Sequence, residues 1–474
     1  MKQFSSILYL FVLALITSGC VSHQPDKKSP KPFEDVPDRW ASWDTNISEP
    51  QKQIFWADTF NDPLLSQAIR TAWSGNPLLI SQAEQTLARG EEAVIIGANL
   101  SPQANLGVSG SRSKRNLIGF NLPNGSTSFT SNSFNAGLNI GWEIDLWGKL
   151  KSQKESAKKH FERASQDYEG ARLSIAGQVA KTWFEIIENH QQTILARQTM
   201  EIFGTNQSFV ANRFQKGLAT SLENDLATSA FASAQASHSM RLRAKSQSIR
   251  NLQSLLGVYP DGELDWNVSQ ELPQLSFLAL PSTPTTALEN RPDIISSRLQ
   301  LEASGFDLSA SRLSRLPSLS ITGGPGSRAE NFEDLLDNQF QTWEVGGSLT
   351  QPLFQGGRIK AQIRRADALK QSSLANYRAT ALRAFTEVEN LLFNESRLQA
   401  EEAYLQTAST AAKSASQISW DRYQSGLQDI FDALDSQRRF FDSESSLLNI
   451  RKQRAINRVN LFLGIGLPAL QTEP

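Results

Sequence analysis

The second half of this 474-residue chain repeats the first. Asn212 to Leu218 (NRFQKGL) returns as Asp421 to Leu427 (DRYQSGL), which sets Gly217 against Gly426 at an offset of 209 residues. The same offset aligns Gly148 with Gly357, Ala157 with Ala366, Tyr168 with Tyr377, Val179 with Val388 and Phe184 with Phe393. Upstream the offset is 215, matching Thr71 with Thr286, Asn76-Pro77 with Arg291-Pro292, and Pro102 with Pro317. The first half therefore carries about six extra residues between Pro102 and Gly148. Each half reads as helix, strand pair, long helix, turn, helix. A repeat this long is one architectural unit used twice, so the fold must accommodate both copies.

The first 20 residues read as a targeting segment and not as fold. Lys2 supplies a positive start, Ile7 to Ile16 an apolar stretch, and Thr17-Ser18-Gly19-Cys20 closes it with the chain's only cysteine. That ending resembles the bacterial lipobox, with Thr17 where Leu is usual, and makes Cys20 the candidate lipidation site. Val21 in place of Asp points to the outer membrane. The alternative is an ordinary signal peptide with an incidental cysteine. Two acyl chains suffice for stable anchoring. Residues 21 to 34, polar and rich in Pro and Lys, suit a tether. One cysteine excludes an internal disulfide. Beyond the signal, no apolar run reaches the ~18 residues of a membrane helix. A net charge of −1 gives no electrostatic reason to bind nucleic acid.

Proline is missing between Pro123 and Pro260 and again between Pro352 and Pro468, and both windows are rich in Ala, Ser, Gln, Arg and Glu. Such windows predict long helices. Ala157, Phe161, Ala164, Tyr168, Ala171 and Ile175 step by three and four, as do Leu374, Tyr377, Ala381, Phe385, Val388 and Leu392. These are coiled-coil-like seams with small residues that favour close packing. Between Gly357 and Gly464 the only glycine is Gly426. A helix from Arg358 to about Tyr423, turning there, would span roughly 100 Å.

The intervening segments have a different period. Phe134, Ala136, Leu138, Ile140 and Trp142 alternate with Asn135, Gly137, Asn139, Gly141 and Glu143. Leu106 and Val108, Leu319 and Ile321, and Trp343, Val345 and Leu349 alternate in the same way with Ser, Thr, Gly and Glu. One apolar face and one face of small polar residues, about ten residues per strand, is the pattern of a membrane β-barrel wall. Soluble hairpins with one face on a core would show the same alternation. In a membrane, four strands cannot close, because barrels start at ~8 strands and an open edge leaves backbone groups unpaired. Several chains would have to share a barrel; two give eight strands and three give twelve, and the pattern alone does not choose.

Several stretches in fixed order carry a resemblance. They are Phe55-Trp56 with Phe60 and Asp62-Pro63-Leu64; Trp142 to Gly148 (WEIDLWG); Asn290 to Ile294 (NRPDI); Leu316-Pro317; Gln351 to Phe354 with Gly356-Gly357; Ala384-Phe385 with Glu387 to Asn390; and Arg422-Tyr423 with Gly426-Leu427, leading to Leu434 to Arg438 (LDSQR). Together they resemble the TolC-like outer-membrane factors, in particular the lipidated OprM/NodT-type efflux branch. The resemblance implies an internally repeated α+β membrane protein, with four transmembrane β-strands and long coiled-coil helices per chain. It implies a homotrimer with a 12-stranded β-barrel and a 12-helix periplasmic tube, working with a periplasmic adaptor and an inner-membrane transporter. The expected organisation is a signal peptide at 1–19, a lipidated tether and collar segment at 20–60, and a first repeat at 61–260 with its strand pair at 103–143. An inter-repeat linker at 261–284, a second repeat at 285–465 with strands at 317–351, and a tail at 466–474 complete it.

Nothing in the chain suggests catalysis. His23, His160, His190 and His238 are scattered, and there is no G-x-S-x-G elbow, phosphate loop or second cysteine. No cofactor or metal is expected, and Gly323-Gly324-Pro325-Gly326 reads as a strand end or loop. Phe431, Asp435 and Arg438 share a helical stripe by their spacing. The resemblance places Asp435 and Arg438, with Phe431 as an apolar ring and Tyr423 beside them, at the periplasmic gate of such a duct. Around a three-fold axis Asp435 becomes a ring of carboxylates that raise one another's proton affinity. An ordinary surface ion pair on a solvated helix is the alternative. The first-half equivalents are Leu222, Leu226 and Ser229, so only the second repeat carries the charges and its helix pair is expected to move. The helix-turn tips, with Arg213, Phe214, Gly217 and Leu218 and again Arg422, Gly426 and Leu427, are the candidate adaptor-docking residues. The glycines are explained by the turn alone. The expected function is the exit duct of a tripartite efflux pump, passing drugs or metabolites; alternatives are a duct for type I protein secretion and a non-conducting envelope scaffold.

Overall fold

A computed structural model of the chain describes residues 37, 39–42, 55–116, 128–264, 271–275 and 283–471. The signal segment, Cys20 and the tether lie outside the described residues, as does most of the expected inter-repeat linker. A short 3-10 turn (Trp56–Phe60) leads into α1 (Pro63–Gly75) and α2 (Pro77–Ala98). Asp62 caps α1 by accepting from the Leu64 and Leu65 amides, with Pro63 at the first helical position. Asn76-Pro77 then separates the two helices. Proline has no amide to continue the ladder, and the Asn76 side chain takes the amides of Leu78 and Leu79.

The strands follow as β1 (Gln103–Asn116) and β2 (Ser128–Ile144) in the first half, and β3 (Ser318–Ala329) and β4 (Gln341–Thr350) in the second. They form one antiparallel sheet in the order β1-β2-β3-β4, so within one chain β1 and β4 are its two edges. The register puts Leu106 opposite Leu138, Val108 opposite Ala136, Ile321 opposite Trp142 and Leu349 opposite Leu319. Period two therefore collects the apolar side chains on one face. The other face carries Asn105, Asn139, Ser320 and Ser348 with Glu143, Glu344 and Arg328. Leu106, Val108, Trp343 and Val345 are exposed, so the apolar face has no core to lie on. The first pair, at 14 and 17 residues, is longer than the expected ten; the second pair has 12 and 10.

Gly323 to Gly326 is a correction. It lies in the middle of β3 and not at a strand end. Pairing with β2 lapses at Leu138 and Asn139, opposite Pro325, which has no amide to donate, and Gly324. A Cβ on Gly324 would sit 1.6 Å from the Leu138 carbonyl oxygen, so no other residue fits. Glycine and proline read as punctuation in sequence; here they let two backbones approach within a wall.

The helical part consists of α3 (Lys149–Gln215) and α4 (Ser221–Leu256) in the first half and α7 (Arg358–Gln424) and α8 (Ile430–Gly464) in the second, with α5 (Pro284–Asn290) and α6 (Pro292–Leu313) preceding β3. Both α3 and α7 have 67 residues. On α7 the buried positions Tyr377, Ala381, Ala384, Val388 and Leu392 keep the expected three–four step.

Contacts divide the chain into two compact units that cut across the sequence repeat. One comprises the sheet with residues 87–164 and 297–377. In it Trp147 donates to the Pro317 carbonyl over 2.7 Å, and Lys149 pairs with Glu143 at 2.6 Å. The other comprises residues 32–86, 165–296 and 378–474. Its main core joins Trp56, Phe60, Leu65 and Ile69 to Val179, Trp183 and Phe184 of α3 and to Val459 and Phe462 of α8. Trp56 and Ala57 donate backbone hydrogen bonds to the carbonyls of Pro468 and Ala469, both at 3.2 Å, which joins the N-terminal and C-terminal segments. Trp40 is buried in the same core, and the amides of Ala41 and Ser42 donate to the Glu389 carboxylate over 2.8 and 2.9 Å. Farther along, Glu395 of α7 accepts from Arg458 and Asn457 of α8, and Arg454 bridges Glu395 and Glu402.

Candidate functional site: hairpin tips and a charged stripe on α8

Both hairpin tips close by the same device. Gly217 and Gly426 have φ of +70 and +74, and no atom lies within 4 Å of a Cβ built on either. The Leu218 amide donates to the Arg213 carbonyl at 2.8 Å and the Leu427 amide to the Arg422 carbonyl at 2.9 Å. Gly217 and Gly426 donate to Phe214 and Tyr423. This is the Schellman pattern, which satisfies the last helical carbonyls. The next helix is capped differently in each half. Thr220 and Glu223 form a capping box at α4, and Asp429 takes the Phe431 amide at α8.

Phe214, Leu218 and Leu427 are exposed, whereas Tyr423 is buried. Tyr423 packs with Val210, Ala227, Ile430 and Ala433, and its hydroxyl lies 3.4 Å from Glu223. Burial and the Glu223 charge push its phenol up from the ordinary value. Arg213 stacks over both Phe209 and Tyr423 at 5.8 and 5.9 Å. Arg213 and Tyr423, expected to serve docking and gating respectively, thus meet inside the tip and join the two hairpins.

Phe431, Asp435 and Arg438 share one face of α8, and Phe431 is 62 % exposed. Asp435 accepts from Arg438 at 2.5 Å and from Arg439 at 2.7 Å, one guanidinium on each oxygen. Arg439 was not among the expected residues, although its i,i+4 spacing from Asp435 is visible in the sequence. The Arg439 and Arg438 hydrogen bonds hold the Asp435 carboxyl below its ordinary value. Within one chain this is opposite to the rise expected from a ring of carboxylates. Two adjacent cations act on the group at contact distance.

One polar contact between the hairpins was also missed. Asn206 of α3 donates to Gln437 of α8 over 2.7 Å, and both side chains are buried. Its signal was present, since Asn206 sits between Phe203 and Val210, and Gln437 between Ala433 and Phe441, at seam spacing. No group of three or more potential metal ligands occurs among the described residues, and no helix among them is long and apolar enough to cross a membrane.

Comparison with known proteins gives this geometry a context. The chain is 27% identical over 462 residues to the outer membrane protein OprJ of Pseudomonas aeruginosa, covering 96% of this chain and 94% of OprJ. It is 26% identical to the probable outer membrane lipoprotein SilC of Salmonella typhimurium, with 97% of each covered. The crystal structure of the Campylobacter jejuni CmeC outer membrane channel superposes with a TM-score of 0.86 at 24% identity, covering 94% of this chain and 96% of CmeC. One family model, described as outer membrane efflux protein, matches residues 68–258 and again 283–467. Matched in both halves by that model, the chain belongs to the outer membrane efflux protein family.

Proposed function

We propose that three copies of this outer-membrane efflux protein share one barrel and one helical tube, forming the exit duct of a tripartite pump. The observation that carries this reading is the sheet itself. It has four strands, two edges at β1 and β4 and an apolar face without a core. In a bilayer such edges must be paired, and another copy's β1 is the natural partner of β4. Three copies give the twelve strands that the family resemblance implies. The opposite face, lined by Asn, Ser, Thr and Gly, then becomes a wet bore. Small polar side chains with few charges bind no one solute strongly, which suits a conduit for varied small molecules.

In this reading Cys20 carries the lipid anchor. The tips with Phe214, Leu218 and Leu427 meet the periplasmic adaptor, which couples the duct to an inner-membrane transporter. Exposed apolar residues beside the fixed Schellman turns supply rigid contact points. Phe431 narrows the periplasmic end and excludes water, while Asp435, held by Arg438 and Arg439, keeps α8 in its closed setting. The test is native mass spectrometry of the detergent-extracted protein, followed by planar-bilayer recording. A trimeric mass with ion conduction is expected. A monomer or dimer that never conducts would overturn the shared barrel and leave an envelope scaffold.

A further inference from the structure

The surface of α8 carries two polar features on different sides. Asp435 with Arg438 and Arg439 lies on the exposed side, while Gln437, two residues on and about 200° around the helix, enters the seam against α3. On one side of Gln437 along that seam, Phe203 and Phe441 meet edge to face with ring centres 6.0 Å apart. On the other, Val210 packs with Ile430 and Ala433. The Asn206–Gln437 pair is thus a buried amide link between apolar layers.

We propose that Asn206 and Gln437 form a register pin, holding the α7/α8 hairpin against α3/α4 in the closed duct and positioning Asp435 at the gate. An apolar pair at this layer would pack in more than one setting, whereas the amide pair is satisfied in one only. Sliding α8 by one residue moves it ~1.5 Å, enough to break a contact of this length. The polar contacts farther along the seam, Ser445 to Gln192 and Lys452 to Glu188 at 2.9 and 3.5 Å, are only partly buried and lie two or more turns away. The pin is therefore the seam's buried polar restraint beside Asp435. It acts through α8 and does not line the bore. This proposal rests on the gate reading above, and its experiment separates the two.

The experiment uses the full-length trimer in planar bilayers, comparing wild type, Asp435→Ala with Arg438→Ala, Asn206→Leu with Gln437→Leu, and the exchanged pair Asn206→Gln with Gln437→Asn. The leucine pair keeps the seam filled, and its trimeric mass and melting temperature show whether it folds as wild type does. The ratio of open to closed time should rise about five- to tenfold in the leucine pair, the worth of one buried hydrogen bond. It should return toward wild type in the exchanged pair, which restores an amide contact. A leucine pair as closed as wild type overturns the pin, even where the charge variant opens. If the leucine pair opens and the charge variant does not, the amides hold the hairpin register by themselves, and both the Asp435 gate and the pin's positioning of Asp435 are overturned. If the leucine pair cannot assemble, the exchanged pair decides, because loss of closure with both amides kept also overturns the pin.

Discussion

Arg439 Nε donates to Oδ2 of Asp435 over 2.7 Å, one helical turn away on α8. With Arg438 on the other oxygen, the carboxyl is held below its ordinary value. A depressed carboxyl contributes its contacts fully above the ordinary pKa and loses them as pH falls through the depressed one. Conductance should therefore stay flat between about pH 5 and 8 and rise only below the ordinary aspartate value of ~3.9. A rise between about pH 7 and 5 would mean that carboxylate crowding around the axis outweighs the two arginines.

Gly217 and Gly426 should each resist replacement for backbone reasons alone. A Cβ at either meets no atom, so Gly426→Ala carries only the strain of positive φ, about 1–2 kcal/mol. Gly426→Asn should cost less, since Asn tolerates that conformation. Thermal unfolding of the two variants checks the order, and equal losses would contradict it.

Glu395 is the buried acceptor for Arg458 and Arg454, themselves almost fully buried. Glu395→Ala should destabilise the chain by roughly 3–5 kcal/mol, because Arg458 and Arg454 each lose a carboxylate contact inside the core, although Arg454 keeps Glu402. A neutral result in denaturant unfolding would show that water or Glu402 compensates.

Trp40 and Glu389 should act as one fastening. Trp40→Ala removes a buried indole worth about 3–5 kcal/mol, and Glu389→Ala removes the acceptor of the Ala41 and Ser42 amides. The double variant should lose less than the sum of the singles, since residues 40–42 detach as a unit. Strict additivity in melting experiments would show two independent contacts.

Most of the architecture was legible in the sequence because it is periodic. The three–four seam of Tyr377, Ala381, Val388 and Leu392 and the alternation of Phe134 to Trp142 each state their own secondary structure. The repeat then fixes the order. Local chemistry with two meanings was harder to read. Gly323 to Gly326 looked like punctuation because a close approach between strands depends on where Leu138 lies. The surroundings of Tyr423 were hidden, because nothing local reveals that Arg213 and Glu223 meet it across the hairpins. Arg439 and the Asn206–Gln437 pair had the right spacing, but spacing offers many such pairs and only the packed seam selects among them.

Whether charges on α8 close the duct is decided by single-channel recording. Wild type is compared with Asp435→Ala, Arg438→Ala and Arg439→Ala combined. Wild type should show a small, intermittent conductance and the variant a larger, sustained one at the same trimeric mass. A variant that conducts no better than wild type would contradict closure by these charges and return these residues to an ordinary solvated helix face.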